Sequence, residues 1–196
     1  MPIAAVLLAA GASTRLGSPK QMARLGGQTL LERAVRTALE AGLRPIYLVV
    51  AAGQEETPCL PDLVQHPEAP TVVTVVNPDT AEGMASSLRA GITAAREAAG
   101  VIVLACDQPA VTAEHLRELA EGADEIVASA YAGRKGVPAY FPSSAFAELL
   151  KLRGDSGARE LLQAARAVKL PGGELDVDTV EDLERAIQIY SHPLSK

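Results

Sequence analysis

Tryptophan is absent from this chain, aromatic residues make up only 3% of it, and its 196 residues include three histidines and two cysteines. With so few rings, the core has to be assembled from Ala, Leu, Val and Ile. Cys59 and Cys106 form no CxxC pair, so a disulfide framework is excluded. No apolar stretch reaches the roughly 18 residues needed to cross a bilayer. The formal charge of −6 argues against general affinity for nucleic acid or an anionic membrane. No internal repeat or low-complexity tract interrupts the chain. Its opening, MPIAAVLLAAGAS, has the apolar run of a signal peptide but no basic residue ahead of it. The run leads into Gly-x-Ser-x-Arg rather than a cleavage site. A cytoplasmic protein that engages neither nucleic acid nor membrane is expected.

What is present is an ordinary globular composition, 48% hydrophobic and 21% charged, with 16 Gly and 13 Pro. A chain of this size buries roughly 70% of its extended surface and forms one self-sufficient domain. Residues 3–8 are wholly apolar, as suits a strand covered on both faces. Thr29 and Glu32 form a capping box opening a helix whose apolar stripe is Leu31, Ala34, Val35, Ala38 and Leu39, with Gly42 closing it. Further strands are read at 46–50, 71–76, 101–105 and 126–130. A helix beginning at Ser86 or Ser87 and ended by Gly100, and another capped by Thr112, lie among them. Strands alternating with helices predict a doubly wound, mostly parallel α/β sheet of Rossmann-like type. The nucleotide-binding core is expected over 1–130 of a single domain, 1–196.

After Tyr131 the rhythm changes. Gly133-Arg134-Lys135-Gly136 reads as a turn and 137–141 as a strand. Helices are expected at 143–151 and 156–166, then a strand near Val168 and a last helix from Val180. These elements, over 131–190, predict a small subdomain on the acceptor side of a cleft. Residues 54–70, rich in proline, read as a surface excursion, and 191–196 as a frayed end.

The segment Leu8-Ala9-Ala10-Gly11-Ala12-Ser13-Thr14-Arg15-Leu16-Gly17, followed by Lys20, carries the strongest chemical signal. A glycine-containing loop directly after a buried strand can aim its backbone N–H groups at an anion lying across the carboxyl edge of the sheet. Arg15 and Lys20 add positive charge there. The spacing fits neither GxxxxGK[ST] nor GxGxxG. The plainer reading is a solvated loop with two surface cations, which does not explain so dense a cluster.

Asp107 stands at the end of the buried run 101–105, just before Gln108-Pro109. A hard dication at that position would bridge its carboxylate to phosphate oxygens; the alternative is a turn aspartate bonded to its own backbone. Cys106 reads as a small buried apolar residue rather than a nucleophile. In Asn77-Pro78-Asp79-Thr80-Ala81-Glu82-Gly83-Met84-Ala85-Ser86-Ser87, hydroxyls and free N–H groups at a helix start suit an anion or a base edge, or serve only as caps. Thr179 and Asp182 are placed as a cap. Asp176 and Asp178 are not needed for capping, so either could supply a second metal contact; strand phase decides which, and Asp178 is the one assigned.

These elements resemble the nucleotidyltransferases of glycosyltransferase-A-like fold, whose signature is LxxGxSxRxGxxK. Ala-Ala-Gly at its start is more similar to the molybdenum cofactor cytidylyltransferase branch than to the guanylyltransferase branch. Asp107-Gln-Pro109 resembles the family's Asp-x-Pro element, and Gly83-Met84-Ala85-Ser86-Ser87-Leu88 its Gly-Met-Ser-Ser-Ser-Leu element, with Ala85 departing. Gly154-Asp155-Ser156-Gly157 and Asp176-Val177-Asp178-Thr179 also have counterparts. The resemblance implies nucleotide contacts from Leu8, Ala9, Ala10, Gly11, Arg15, Lys20, Gly83, Ser86 and Ser87. It further implies catalytic roles for Arg15, Lys20 and Asp107, and Mg²⁺ on Asp107 and Asp178. Gly136-Val137-Pro138 stands where the family often has Gly-His-Pro, which puts the acceptor in doubt. The implied reaction is transfer of a nucleoside monophosphate from an NTP, CTP by the branch resemblance, to a phosphorylated acceptor such as molybdopterin. Alternatives on the same scaffold are sugar- or polyol-phosphate acceptors. A different class is a non-catalytic nucleotide-binding partner or chaperone of a molybdoenzyme.

Overall fold

The computed structural model describes residues 2–11, 16, 19–54, 72–122, 124–154 and 158–190. The first strand, β1 (Ile3–Leu8), is apolar on both faces because both faces are covered. Ala5 and Leu7 enter one core cluster, and Ala4 and Val6 enter another. It lies between β4 (Ile46–Ala51) and β6 (Gly100–Ala105), parallel to each. Outside β4 lies β5 (Val72–Asn77), also parallel. A small hairpin of β2 (Arg24–Leu25) and β3 (Gln28–Thr29) stands apart from the main sheet.

On the other flank the order continues through β8 (Arg134–Pro142), β7 (Val127–Tyr131) and β9 (Arg166–Lys169), so the full order is β5-β4-β1-β6-β8-β7-β9. Among the described strands of this sheet, only β8 runs against its neighbours; β7 and β9 are parallel to each other. The expected mostly parallel α/β sheet is therefore present, and the elements after Tyr131 complete that same sheet. The turn read over residues 133–136 is shorter than expected: Ala132 and Gly133 both have positive φ, +46° and +73°, and form a tight two-residue hairpin. Gly136 is already strand, and the Tyr131 hydroxyl lies where its side chain would project.

One face carries α1 (Leu30–Glu40) and α3 (Ala113–Ala120), the other α2 (Met84–Ala94), α4 (Phe146–Leu149) and α5 (Arg159–Ala164). The last helix, α6 (Val180–Tyr190), joins a separate small cluster of Leu25, Leu30, Leu175, Val177 and Ala186. Thr29 and Glu32 form the expected reciprocal capping box on α1, and Thr112 accepts from the His115 N–H on α3. Two boundaries are corrected. Helix α2 begins at Met84, ahead of both serines, and ends at Ala94; Gly100 opens β6 rather than stopping a helix. Gly100 is glycine because the Tyr140 ring packs across it, with its hydroxyl 2.6 Å from where a Cβ would stand. The helix expected at 143–151 is a 3₁₀ turn (Ser143–Ala145) followed by the single turn of α4. The 54–70 excursion, except Gln54, and the 191–196 end lie outside the described residues, and so does Cys59.

Gly91 sets how closely α2 lies on the sheet. A Cβ there would collide with the Val6 side chain and stand 3.1 Å from Val49 Cγ2. Helix propensity alone favours Gly91→Ala by about 0.8–1 kcal/mol, whereas overpacking costs about 1–3 kcal/mol. Urea unfolding of the variant is expected to show a lower midpoint than the parent; a higher one would mean that the helix lifts off at no cost.

Candidate active site

Because β1, β4, β5 and β6 are parallel, their carboxyl ends share one edge, and the segments after Leu8, Asn77 and Ala105 all begin there. Leu8 is in register with Ala105, and the Ala9 N–H donates to the Val49 carbonyl at 2.9 Å, which anchors the start of the glycine loop. Gly11 is exposed, and a Cβ on it would lie 3.7 Å from Cε of Lys20, so the lysine stem passes close by the loop. Lys20 opens a 3₁₀ turn (Lys20–Met22), and its ammonium donates to both Asp107 Oδ2 and, at 3.0 Å, Asp178 Oδ1. These carboxylates lie 87 and 158 residues along the chain from Lys20. Residues 12–15, 17 and 18, and with them Arg15, lie outside the described residues.

Asp178 is delivered by backbone and packing. The Val177 N–H donates to the Asp107 carbonyl at 2.9 Å, tying the segment before α6 to the turn after β6. Val177, 0% exposed, and Leu175 point into the small cluster under α6. The aspartates on either side of Val177 are left half-exposed, with side-chain accessibilities of 37% and 36%. Asp182 then locks the turn: its carboxylate accepts from the N–H groups of Asp178 and Thr179 at 3.3 and 3.0 Å, and its own N–H donates to Thr179 Oγ1 at 3.2 Å.

Of the two aspartates, Asp178 is the one joined to Asp107 through Lys20. Asp176 lies 3.8 Å from Arg134, whose guanidinium sits 5.1 Å over the Tyr131 ring. Burial, and then the nearby charge of Asp107, raise the Asp176 carboxyl pKa to about 6. For Lys20, burial works against the charged form, but Asp107 and Asp178 outweigh it and hold the ammonium above the ordinary lysine range. The lysine thus stays protonated throughout the working pH of a protein.

The edge beyond β5 is held by an amide. Asn77, 2% exposed, donates from Nδ2 to Ser86 Oγ at 2.8 Å and Ser87 Oγ at 3.0 Å, and its Oδ1 accepts from the Asp79 N–H at 2.9 Å. Ser86 Oγ in turn donates to the Gly83 carbonyl at 2.8 Å. The serines therefore brace the turn into α2 from inside its first turn, rather than cap it. Gly83 needs no Cβ, since its φ is +108°. The Ala85 N–H donates to the Gly154 carbonyl at 3.0 Å, and Arg89 bridges Glu82 (2.6 Å) and the Leu152 carbonyl (2.8 Å), so the segment ending at Gly154 meets the start of α2. Residues 155–157, with their family-like Asp155, Ser156 and Gly157, lie outside the described part. Sequence reasoning missed Asn77, whose signal was an amide at a strand end ahead of proline. It also missed Arg33, which reaches from α1 to the Pro109 carbonyl at 3.2 Å and steadies the turn that carries Asp107.

Among the described residues, no three His, Cys, Asp or Glu side chains stand together as a self-contained metal site. Asp107 and Asp178 do converge on a single cation, the ammonium of Lys20. Two carboxylates of this kind suit a hard ion that takes its remaining oxygens from substrate phosphates and water. Among the described residues, no helix is long and apolar enough to cross a membrane.

A half-buried lysine and two carboxylates thus meet on the carboxyl edge of a mostly parallel α/β sheet, beside the start of the glycine-containing segment. The model for the MobA-like NTP transferase domain matches residues 5–169. Purine catabolism protein PucB of Bacillus subtilis is 32% identical over 190 residues, which span 91% of this chain and 93% of PucB. A protein named nicotine blue oxidoreductase, from Paenarthrobacter nicotinovorans, is also 32% identical, over 94% of this chain and 96% of its own. The crystal structure of Rv0371c from Mycobacterium tuberculosis superimposes with a TM-score of 0.77 at 30% identity, covering 96% of this chain and 99% of that one; Rv0371c has also been crystallised as a manganese complex. Shorter matches are named probable molybdenum cofactor guanylyltransferase, one of them from Opitutus terrae at 32% identity over 60% of this chain and 54% of its own. The chain belongs to the MobA-like NTP transferase family, and is a nucleotidyltransferase of that type.

Cys106 adjoins Asp107 but is buried, 4% exposed. Complete burial, with the Asp107 charge beside it, pushes its thiol up to about 12. At pH 8 the folded protein is therefore expected to leave Cys106 unalkylated by iodoacetamide, while the urea-unfolded chain reacts fully; peptide mapping distinguishes the two. Rapid labelling of the folded protein would contradict the burial.

Proposed function

We infer that this protein transfers a nucleoside monophosphate from an NTP to a small phosphorylated acceptor and releases pyrophosphate, with CTP as donor and molybdopterin as acceptor. The observation carrying the reading is the convergence of Lys20, from the glycine-loop segment, on Asp107 and Asp178. The CTP assignment is supported by the Ala9-Ala10-Gly11 resemblance. Relatives named guanylyltransferases favour GTP instead, so both donors belong in the test.

In this reading the glycine loop receives the triphosphate on its backbone N–H groups, and Arg15 and Lys20 hold the β and γ phosphates. An acceptor phosphate oxygen, already ionised at pH 7, attacks the α-phosphorus in line. The new P–O bond forms as the bond to the β-phosphate oxygen breaks, and the electron pair leaves with pyrophosphate. No general base is required, in keeping with a site that holds no histidine among the described residues. Positioning and charge neutralisation supply the rate. Asp107 and Asp178 would hold Mg²⁺, which when bound neutralises charge on the phosphates. Asn77, Ser86 and Ser87 keep the β5–α2 turn, with Gly83, in shape beside the nucleotide. A half-exposed Val137 at the same edge would leave the acceptor an apolar contact.

The assay is pyrophosphate release across CTP, GTP, UTP and ATP with molybdopterin, sugar phosphates and polyol phosphates, at neutral pH with Mg²⁺. CTP with molybdopterin is the pair expected to turn over. Arg15→Ala, Lys20→Ala and Asp107→Ala are each expected to lower turnover at least ~10²-fold. Near-parental rates in folded variants would end the assignment. Because one relative bears the name of an oxidoreductase, the panel includes a reduced nicotinamide with a redox dye. Dye turnover without pyrophosphate would favour that chemistry, while nucleotide binding with neither product would favour a non-catalytic partner of a molybdoenzyme.

A further inference from the structure

We propose that Lys20 is an internal cation that bars Asp107 and Asp178 to a divalent metal until nucleotide phosphates draw it away, so that metal and nucleotide enter together. The proposal rests on the reading above, in which both occupy this cleft. Two carboxylates from different elements, the end of β6 and the start of α6, meet at one ammonium. A dication bound to both would compete with that ammonium for the same oxygens, and the two positive charges would repel each other. The Lys20–Asp107 half of the pairing is the less screened one, with side chains 20% and 12% exposed, while Asp178 is 36% exposed.

The alternative partner for Lys20 is close at hand. Its stem lies within van der Waals reach of Gly11, where the backbone would meet phosphate, so rotation about the side-chain bonds can carry the ammonium from carboxylate to phosphate. The ligand count points the same way. Among the described residues no three acidic or imidazole side chains group there, and nucleotide phosphates would supply a hard dication with further oxygens. Both effects make free metal bind poorly and nucleotide-loaded metal bind well, which is positive coupling between two ligands at one site.

Binding of Mn²⁺ to the full chain, followed by the loss of the free-ion electron paramagnetic resonance signal, tests this without turnover. The parent protein is expected to bind Mn²⁺ at least ~10-fold more tightly with CTP or GTP than alone, within the usual range of coupling. Lys20→Met and Lys20→Gln are expected to bind Mn²⁺ alone at least ~10-fold more tightly than the parent and to gain less from nucleotide than the parent does, keeping only the part that phosphate oxygens supply to the metal. Lys20→Arg, which keeps the charge, should behave as the parent does. Asp107→Asn added to Lys20→Met should abolish the gain, which assigns it to this pair. Thermal melting checks that each variant is folded, and two neutral replacements guard against the failure of one. If the parent and Lys20→Met bind Mn²⁺ equally well without nucleotide, the proposal is overturned while the nucleotide–metal site stands. If no form binds Mn²⁺ even with CTP and GTP, the underlying reading falls, and this one with it.

Discussion

Two carboxylates held by one ammonium, at the open edge of a sheet that is otherwise apolar, form the interaction around which this molecule is arranged. Asp107 sits just past a strand with no room for charge, and it is 8% exposed. Left alone, two such carboxylates would repel each other and resist burial. Lys20 offsets both by bonding to the two carboxylates, which lie far from it in the chain. Its own desolvation is more than offset by the pair, so the charge persists where an isolated buried lysine would tend to lose its proton.

Much of the remaining architecture serves to deliver those groups. The parallel register of β1 and β6 puts the glycine loop and Asp107 on the same edge. The bond from the Val177 N–H to the Asp107 carbonyl fastens the approach to α6 onto that edge, and Val177 packed inward leaves Asp178 turned out. Arg33 from α1 holds the neighbouring Pro109 carbonyl. On the β5 side, a buried amide does comparable work through two serines. The site is therefore braced from both helical layers, which is what precise placement of a polyphosphate demands.

Family membership and fold narrow the chemistry further than the substrate. The relatives that match nearly the whole chain carry dissimilar names, a purine catabolism protein and an oxidoreductase, although each is about one-third identical to it. In the proposed reading, one scaffold can host several acceptors because the acceptor would meet loops and sheet-edge side chains, whereas the triphosphate would meet backbone. Val137, where the family often carries histidine, belongs to that variable side.

Local patterns in the sequence were enough to determine β1 to the residue, the capping boxes at Thr29 and Thr179, the Thr112 cap and the position of Asp107 at a strand end. Each of these follows from periodicity or from bonds spanning a few residues. The start of α2 was misplaced because Ser86 and Ser87 resemble caps, while their hydroxyls in fact answer Asn77 from a strand away. Gly100 and Gly136 looked like breakers, but each is glycine because a tyrosine ring or hydroxyl occupies the space beside it. Only the tertiary structure decided that Lys20 grips both carboxylates and that Asp178, rather than Asp176, completes the trio. Those outcomes depend on contacts across most of the chain's length, where packing beneath α6 and a single backbone hydrogen bond choose the direction in which a side chain points.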